Sequence, residues 1–112
     1  MSIDEQISDL RKALEDDPDD IHVRITLAES YLQKNMTDEA ISECRKAIEM
    51  NPKHASAHNS LGVAFEKKGM IDEAIVEFKE AVANNPNYAT AYNNLGLAYS
   101  KQGMIYEAIS EF

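Results

Sequence analysis

Three sets of side chains in this sequence stand at spacings that could support chemistry. His54 and His58 are four residues apart, the separation at which two imidazoles share one helix face and ligate a metal ion. No third ligand stands at a matching offset, and His54 falls at the start of its helix, so no metal site is expected. Tyr92 takes the place of His58 34 residues later, which marks His58 as a packing position. Cys44 is the one cysteine, so the chain forms no internal disulfide. A nucleophilic thiol needs a base or cation to make it a thiolate. Cys44 instead sits on an apolar stripe with no paired histidine. Carboxylates are abundant, but nothing encloses them in a way that would tune an acid or base, and no phosphate-cradling glycine motif is present. The chain therefore reads as non-enzymatic, with no cofactor. The third set is amides: Asn59, Asn93 and Asn94. An amide both donates and accepts, so a row of them can satisfy a peptide backbone. Equally, asparagine at such places can serve only packing and solvent.

These residues sit on a periodic frame. Residues 55–78 and 89–112 agree at 15 of 24 positions. Both read A-x-A-x-N-x-L-G-x-A, then K-x-G-M-I, then E-A-I-x-E-F. A looser copy starts at Ile21, with Leu27-Ala28, Tyr31, Glu39-Ala40-Ile41 and Glu43 in the same register. The period is 34 residues. A unit of that length is a supersecondary element that buries its apolar face only against neighbours. Inside the second unit the apolar residues recur at helical steps: Ala57, Leu61, Ala64 and Phe65, then Ala74, Ile75, Phe78, Ala81 and Val82. Lys68-Gly69-Met70 breaks the run. Asp72 and Glu73 open the second helix with charge that suits its dipole. Asn84-Asn85-Pro86 closes it, because proline cannot continue a helix and restricts its predecessor.

Small residues recur where two helices approach. Gly62 and Gly96 lie inside first helices, with Ala28 in the first unit, although such a glycine costs roughly 1 kcal/mol relative to alanine. Ala40, Ala74 and Ala108 mark the matching point on second helices. Tyr31, Phe65 and Tyr99, with Cys44, Phe78 and Phe112, are expected to fill the space between. Residues 1–17 read as a half unit whose stripe is Ile3, Ile7, Leu10, Ala13 and Leu14, closed by Asp17-Pro18. Gln6 replaces the small residue there, so this helix is expected to pack differently. Repeats then span 21–54, 55–88 and 89–112, the last cut short, giving one all-α domain of about seven helices. Phe112 stops within a second helix with no terminator, which predicts a segment of a longer repeat protein.

The combination of L-G-x-A-F/Y, G-x-x-x-E-A-I, F-x-x-A-V/I and N-P on this period resembles the tetratricopeptide repeat, over essentially the whole chain. The first unit departs from it with Asn35 for Gly69 and Gly103, and with Cys44 for Phe78 and Phe112. The resemblance implies antiparallel helix pairs stacked into a right-handed superhelical solenoid. First helices would line a concave groove and second helices the convex back. It also implies a scaffold or adaptor that binds a protein partner through a peptide or helix.

Helical geometry nominates the groove residues. They are His22, Ile25, Thr26, Glu29 and Gln33; then Ser56, Asn59, Ser60, Val63 and Lys67; then Thr90, Asn93, Asn94, Leu97 and Lys101. Ile25, Val63 and Leu97 could receive an apolar side chain among hydroxyls and amides. Asn59, Asn93 and Asn94 look like the asparagine ladder with which some family members hold an extended peptide. Members that grip a chaperone's C-terminal carboxylate use clustered Lys and Arg. Ile25, Glu29, Thr90 and Asn94 stand at those places here, so such a clamp is not expected. Met36, Met70 and Met104 mark the turn of each unit, where a polarisable row could cover its own turn or meet a partner.

Charge narrows the partners further. The net charge of −9 argues against nucleic acid. Within residues 1–20, eight acids face only Arg11 and Lys12, so the acidity gathers at one end. That end reads as a solvated cap or a dock for a basic partner. Apolar runs are too short to insert in a bilayer, and the acidic start lacks a secretory pattern. A cytoplasmic location is expected. Two alternatives accompany the binding module: a self-assembling structural scaffold, possible homo-oligomers joining through terminal faces, and a non-catalytic targeting arm of a larger enzyme.

Overall fold

The computed structural model describes the backbone of residues 1–110 and the side chains of residues 1–106. All regular structure among the described residues is helical: α1 (Ile3–Asp16), α2 (Ile21–Gln33), α3 (Thr37–Met50), α4 (Ala55–Lys67), α5 (Ile71–Asn84) and α6 (Ala89–Ser110). Each helix packs on the next in sequence, and α2, α4 and α6 also lie side by side. The result is a solenoid of helix pairs, 53 Å long and 28 by 22 Å across. Among the described residues no helix is long and apolar enough to cross a membrane.

The two described hairpin turns share one backbone solution. Asn35 adopts φ 62° and Gly69 φ 79°. The Met36 N–H donates to the Tyr31 carbonyl at 2.8 Å and the Met70 N–H to the Phe65 carbonyl at 2.9 Å. Asn35 and Gly69 add shorter-range bonds, to Leu32 and Glu66. This is a Schellman closure, which needs a left-handed residue one place past the helix. Asparagine tolerates that region better than most residues, so Asn35 does the work of Gly69. The links between units repeat as well. Asp17, Asn51 and Asn85 each accept, on a side-chain oxygen, the N–H two residues on, at 3.1–3.2 Å. Each fixes the chain at its following proline before the next helix begins.

The core runs the length of the stack. Ala57, Leu61, Ala64 and Phe65 of α4 are buried against Ala74, Ile75, Phe78 and Ala81 of α5. Tyr31 and Cys44 fill the matching space in the first unit, with Ala40 fully buried at the close-contact point. In α1, Ile7 is buried and Leu10 and Leu14 pack on the core, while Ile3 and Gln6 stay exposed. Asp72 lies in the first turn of α5, and the N-cap is Met70 with no side-chain bond. The Asp72 carboxylate instead accepts from Gln102 at 2.8 Å, as Asp38 accepts from Lys68 at 2.8 Å and Asp4 from Lys34. The first-turn acids therefore tie each second helix to the first helix of the next unit.

The last unit departs from expectation. A break at Gly103 and a seventh helix are predicted, yet α6 runs 22 residues without interruption, and six helices are described. Gly103 does not take a positive φ. A glycine permits the left-handed turn without compelling it. Continuing the helix keeps one hydrogen bond per residue, and a turn is repaid only when the second helix packs back on an apolar face. Tyr99, expected between helices, is 43% exposed, and Leu97, Met104, Ile105 and Tyr106 are exposed with it. Ala108 and Phe112 lie outside the described side chains.

Candidate functional site

The nominated residues fall on α2, α4 and α6, which form one face of the stack because first helices neighbour one another. They are not equally open. His22, Thr26, Glu29 and Gln33 on α2 are exposed, as are Lys67 on α4 and Thr90, Asn93, Leu97 and Lys101 on α6. Ser56, Val63 and Asn94 are half-buried. Ile25, expected to be free for a partner's side chain, is instead buried in a cluster with Ala47 and Ala57. Asn59 and Ser60 are also buried. An apolar side chain at that position of α2 gains more from covering α3 and α4 than from facing water.

Two amides do meet across the face. The Asn94 Nδ2 donates to the Asn59 Oδ1 at 3.1 Å, linking α6 to α4. Asn93, one residue before, stays exposed beside this pair. Lys101 is held by Glu66 at 2.6 Å, which leaves Lys67 as the nominated cation without an ion pair among the described residues. At the α2 end, His22 and His54 meet edge to face with ring centroids 5.9 Å apart. Burial raises the Glu29 carboxyl above its ordinary value.

The histidines divide rather than converge. His54 caps α4, its Nδ1 accepting the Ala57 N–H at 3.4 Å. Burial, then the neighbouring His22, lowers its pKa, which favours the neutral ring this cap requires. His58 does more than pack. Its Nε2 donates to the Pro52 carbonyl at 2.7 Å, and its Nδ1 faces Glu77 at 3.2 Å. Arg24 makes the same bridge one unit earlier, to the Pro18 carbonyl at 2.8 Å and Glu43 at 2.7 Å. The first and second units thus each clamp the entry loop to their own second helix. Sequence reasoning missed this, although a polar residue at 24 and 58 always accompanies Glu at 43 and 77. Among the described residues no group of three or more His, Cys, Asp or Glu side chains is placed to hold a metal ion.

Cys44 is fully buried. Burial, reinforced by the negative charge of Glu29, Glu43 and Glu77, pushes its thiol up to about 12. The folded thiol binds its proton more tightly than the unfolded one. Its contribution to stability is therefore complete below the ordinary value of 9.0 and is lost as pH rises toward about 12. At pH 8 iodoacetamide is expected to leave Cys44 unmodified in the native chain and to alkylate it fully in urea, as read by intact mass. Rapid native labelling would mean the thiol is open.

The comparisons agree with this architecture. A family model described as tetratricopeptide repeat matches residues 4–64, and a second, described as TPR repeat, matches residues 67–103. A crystal structure of MamA is 30% identical, with a TM-score of 0.81, over 96% of this chain and 63% of that one. The structure titled MamA MSR-1 C2 is 32% identical, with a TM-score of 0.74, over 98% of this chain and 63% of that one. This chain thus spans less than two thirds of those MamA chains. The first TPR of Spaghetti (RPAP3), bound to HSP90 peptide SRMEEVD, is 23% identical, with a TM-score of 0.85, over 90% of this chain and 80% of that one. At that identity the likeness concerns the fold. No curated protein matches the chain at significant similarity.

Proposed function

The chain belongs to the tetratricopeptide repeat family, whose repeats serve as protein-interaction scaffolds, and from this premise we propose that it holds an extended peptide of a partner protein along the face formed by α2, α4 and α6. The observation that carries the reading is the Asn94–Asn59 bond with Asn93 exposed beside it. It fixes two amides in orientation across adjacent helices and leaves a third to meet a peptide backbone. Thr90 and Leu97 add a hydroxyl and an apolar contact on the same exposed stretch. An RPAP3 repeat domain of this fold holds the HSP90 peptide SRMEEVD. Here the nominated cations are Lys67 and Lys101, and Lys101 is paired with Glu66. The face therefore suits the neutral backbone of an internal stretch better than a charged chain terminus.

Peptide selection from a displayed library against the immobilised chain, then fluorescence anisotropy on the selected sequence, tests the reading. Asn93→Ala with Leu97→Asp alters two exposed side chains and leaves the Asn94–Asn59 bond alone. The double variant is expected to weaken the selected peptide at least about tenfold, since a hydrogen bond and an apolar contact together contribute about 1.4 kcal/mol or more. Unchanged affinity, with unchanged helical circular dichroism, would remove this face as the binding site.

A further inference from the structure

Helix α6 repeats α4 in sequence but not in surroundings. Leu61, Gly62, Ala64 and Phe65 of α4 recur on α6 as Leu95, Gly96, Ala98 and Tyr99. On α4 this face is covered by α5, and Phe65 is 7% exposed, whereas Tyr99 is 43% exposed. The slot at Gly62 is filled, since a Cβ there would lie 2.5 Å from the Phe78 ring. The same slot at Gly96 is open among the described residues. The near side of α6 is already seated. The Lys79 ammonium lies over the Tyr99 ring at 5.7 Å, as the Arg45 guanidinium one period earlier lies over Phe65 at 5.9 Å. Helix α6 thus sits on α5 as α4 sits on α3, and what differs is the cover on its far side.

The sequence that builds such a cover occurs twice. Residues 70–78 and 104–112 agree at seven of nine positions and differ only where Tyr106 replaces Asp72 and Ser110 replaces Val76. In the first copy Ile71, Ala74, Ile75 and Phe78 are buried. In the second, Ile105 is 47% exposed, against 8% for Ile71. The second copy does not reach the slot on its own helix. Helix α6 is unbroken from Gly96 to Ser110, which sets the two about 21 Å apart along its axis. Two further residues span at most about 7 Å, so Phe112 falls short of Gly96 in its own chain. A straight helix cannot cover its own face, whereas a second molecule can.

The register fixes how that second molecule fits. Phe78 meets Gly62 in the antiparallel α4–α5 pair. One period later the corresponding residues are Phe112 and Gly96. Between two α6 helices running antiparallel, that contact forms twice, once in each direction. Residues 96 and 112 are equidistant from Met104, so the two-fold axis passes there. Met104 is 65% exposed, and at the axis the two copies cover one another. The same register sets Tyr99 against Ile109, as Phe65 and Ile75 share one core cluster. Ile109 and Phe112 lie outside the described side chains and are placed by register alone. A two-fold interface is self-complementary, so the chain supplies both halves of it. A foreign helix would have to carry the same A-I-x-x-F spacing.

We propose that the open face of α6 is a homodimer interface, closed by α6 of a second copy running antiparallel to it. Residues 104–112 of each chain take the place on the other chain that the start of α5 takes on α4. The two copies thereby exchange an identical element, a low-cost route to a dimer. The contact reproduces one that the molecule already makes between α4 and α5. Burial of Tyr99, Met104 and Ile105 drives it, and a contiguous exposed apolar face of this kind marks an interaction site. Helix α6 stays continuous through Gly103 in the pair, so no left-handed turn is needed. The contact is apolar, so pairing persists when salt screens charges.

Sedimentation equilibrium of the whole chain, from micromolar to millimolar concentration, is expected to show a monomer–dimer equilibrium that persists at high salt. Gly96→Ala puts a methyl group into the slot that the partner's Phe112 fills. The two-fold makes that clash occur twice, so pairing is expected to weaken at least about tenfold. Phe112→Ala is expected to weaken it to a similar degree. In the dilute, unpaired chain the Gly96→Ala methyl meets nothing and only adds helix propensity, which circular dichroism at that dilution checks. Gly103→Ala is expected to keep the dimer, because an unbroken helix accepts alanine there. In a mixture of isotope-labelled and unlabelled chains, a filtered NOE is expected between the Tyr99 ring of one chain and the Ile109 methyls of another. A monomer at every concentration would overturn the proposal. So would a dimer that neither Gly96→Ala nor Phe112→Ala weakens. A Tyr99–Ile109 NOE found only within one chain, or loss of pairing in Gly103→Ala, would mean that the segment after Gly103 turns back on its own helix, and would overturn it too.

Discussion

Phe78→Ala is expected to lower the stability of this chain by about 3–5 kcal/mol, the cost of emptying a large aromatic site in a core that collapses only partly. Phe78 is among the largest fully buried side chains, with no exposed surface. Its ring sits between the α4 backbone at Gly62 and the cluster that contains Leu61, Ala64 and Ile75. A chain of this size has about 5–15 kcal/mol of stability in all, so the loss is a large share. The consequence is local first. In a solenoid each unit is stabilised by its neighbours, so a weakened α4–α5 pair loosens the second unit and uncouples α6 from the first. Urea unfolding of the variant is expected to show both a lower midpoint and a broader transition. A loss below about 1 kcal/mol would contradict the packing described here. Cys44 fills the same register in the first unit with a much smaller side chain, so Cys44→Ala is the milder substitution.

How much of this was legible in the sequence varies with the range of the physics. The turns at Asn35 and Gly69 and the loops at Asp17, Asn51 and Asn85 depend on a few adjacent residues, and the period displays them directly. The inward residues of α4 and α5 follow from helical spacing for the same reason. Gly103 shows where this stops. Its neighbours Lys101 and Met104 repeat Lys67 and Met70, yet the helix runs on, because a turn depends on the surface against which the next segment packs. The inner face failed in a related way. Ile25, Asn59 and Asn93 share a register, but Ala47 and Ala57 cover Ile25 while Asn93 lies open. A register position fixes direction, whereas exposure depends on neighbours from other helices. The Arg24 and His58 bridges joined residues 19 apart to a loop carbonyl and a carboxylate, a through-space arrangement that no single motif spells out.

Part of the chain's charge is structural. First-turn acids at Asp4, Asp38 and Asp72 are used within the stack, each pairing with the next first helix. The acids of Glu15–Asp20 have no such role in α2, apart from Asp20, which caps it.

The same substitution at two glycines is expected to act with opposite sign. Gly62 and Gly96 occupy one register position, and both are helical. A Cβ on Gly62 would lie 2.5 Å from the Phe78 Cε1 and 2.7 Å from its Cδ1. That ring is fully buried and cannot swing into open space. Gly62→Ala must therefore push the α4–α5 pair apart, at about 1–3 kcal/mol for overpacking. The gain of roughly 1 kcal/mol in helix propensity offsets part of that cost. At Gly96 a Cβ would meet no neighbouring heavy atom within 4 Å among the described residues. There the propensity term acts alone, and Gly96→Ala is expected to raise stability by up to about 1 kcal/mol. Urea midpoints of the two variants against the parent give the signs. Placing Gly62→Ala on a Phe78→Leu background gives the mechanism. If the alanine methyl and the ring compete for one space, the penalty at Gly62 shrinks there, and the double-mutant coupling is measurable because the two side chains touch. An undiminished penalty would locate the cost of Gly62→Ala somewhere other than the ring. A destabilised Gly96→Ala would mean that α6 has a close neighbour at this point, as α4 has at Gly62.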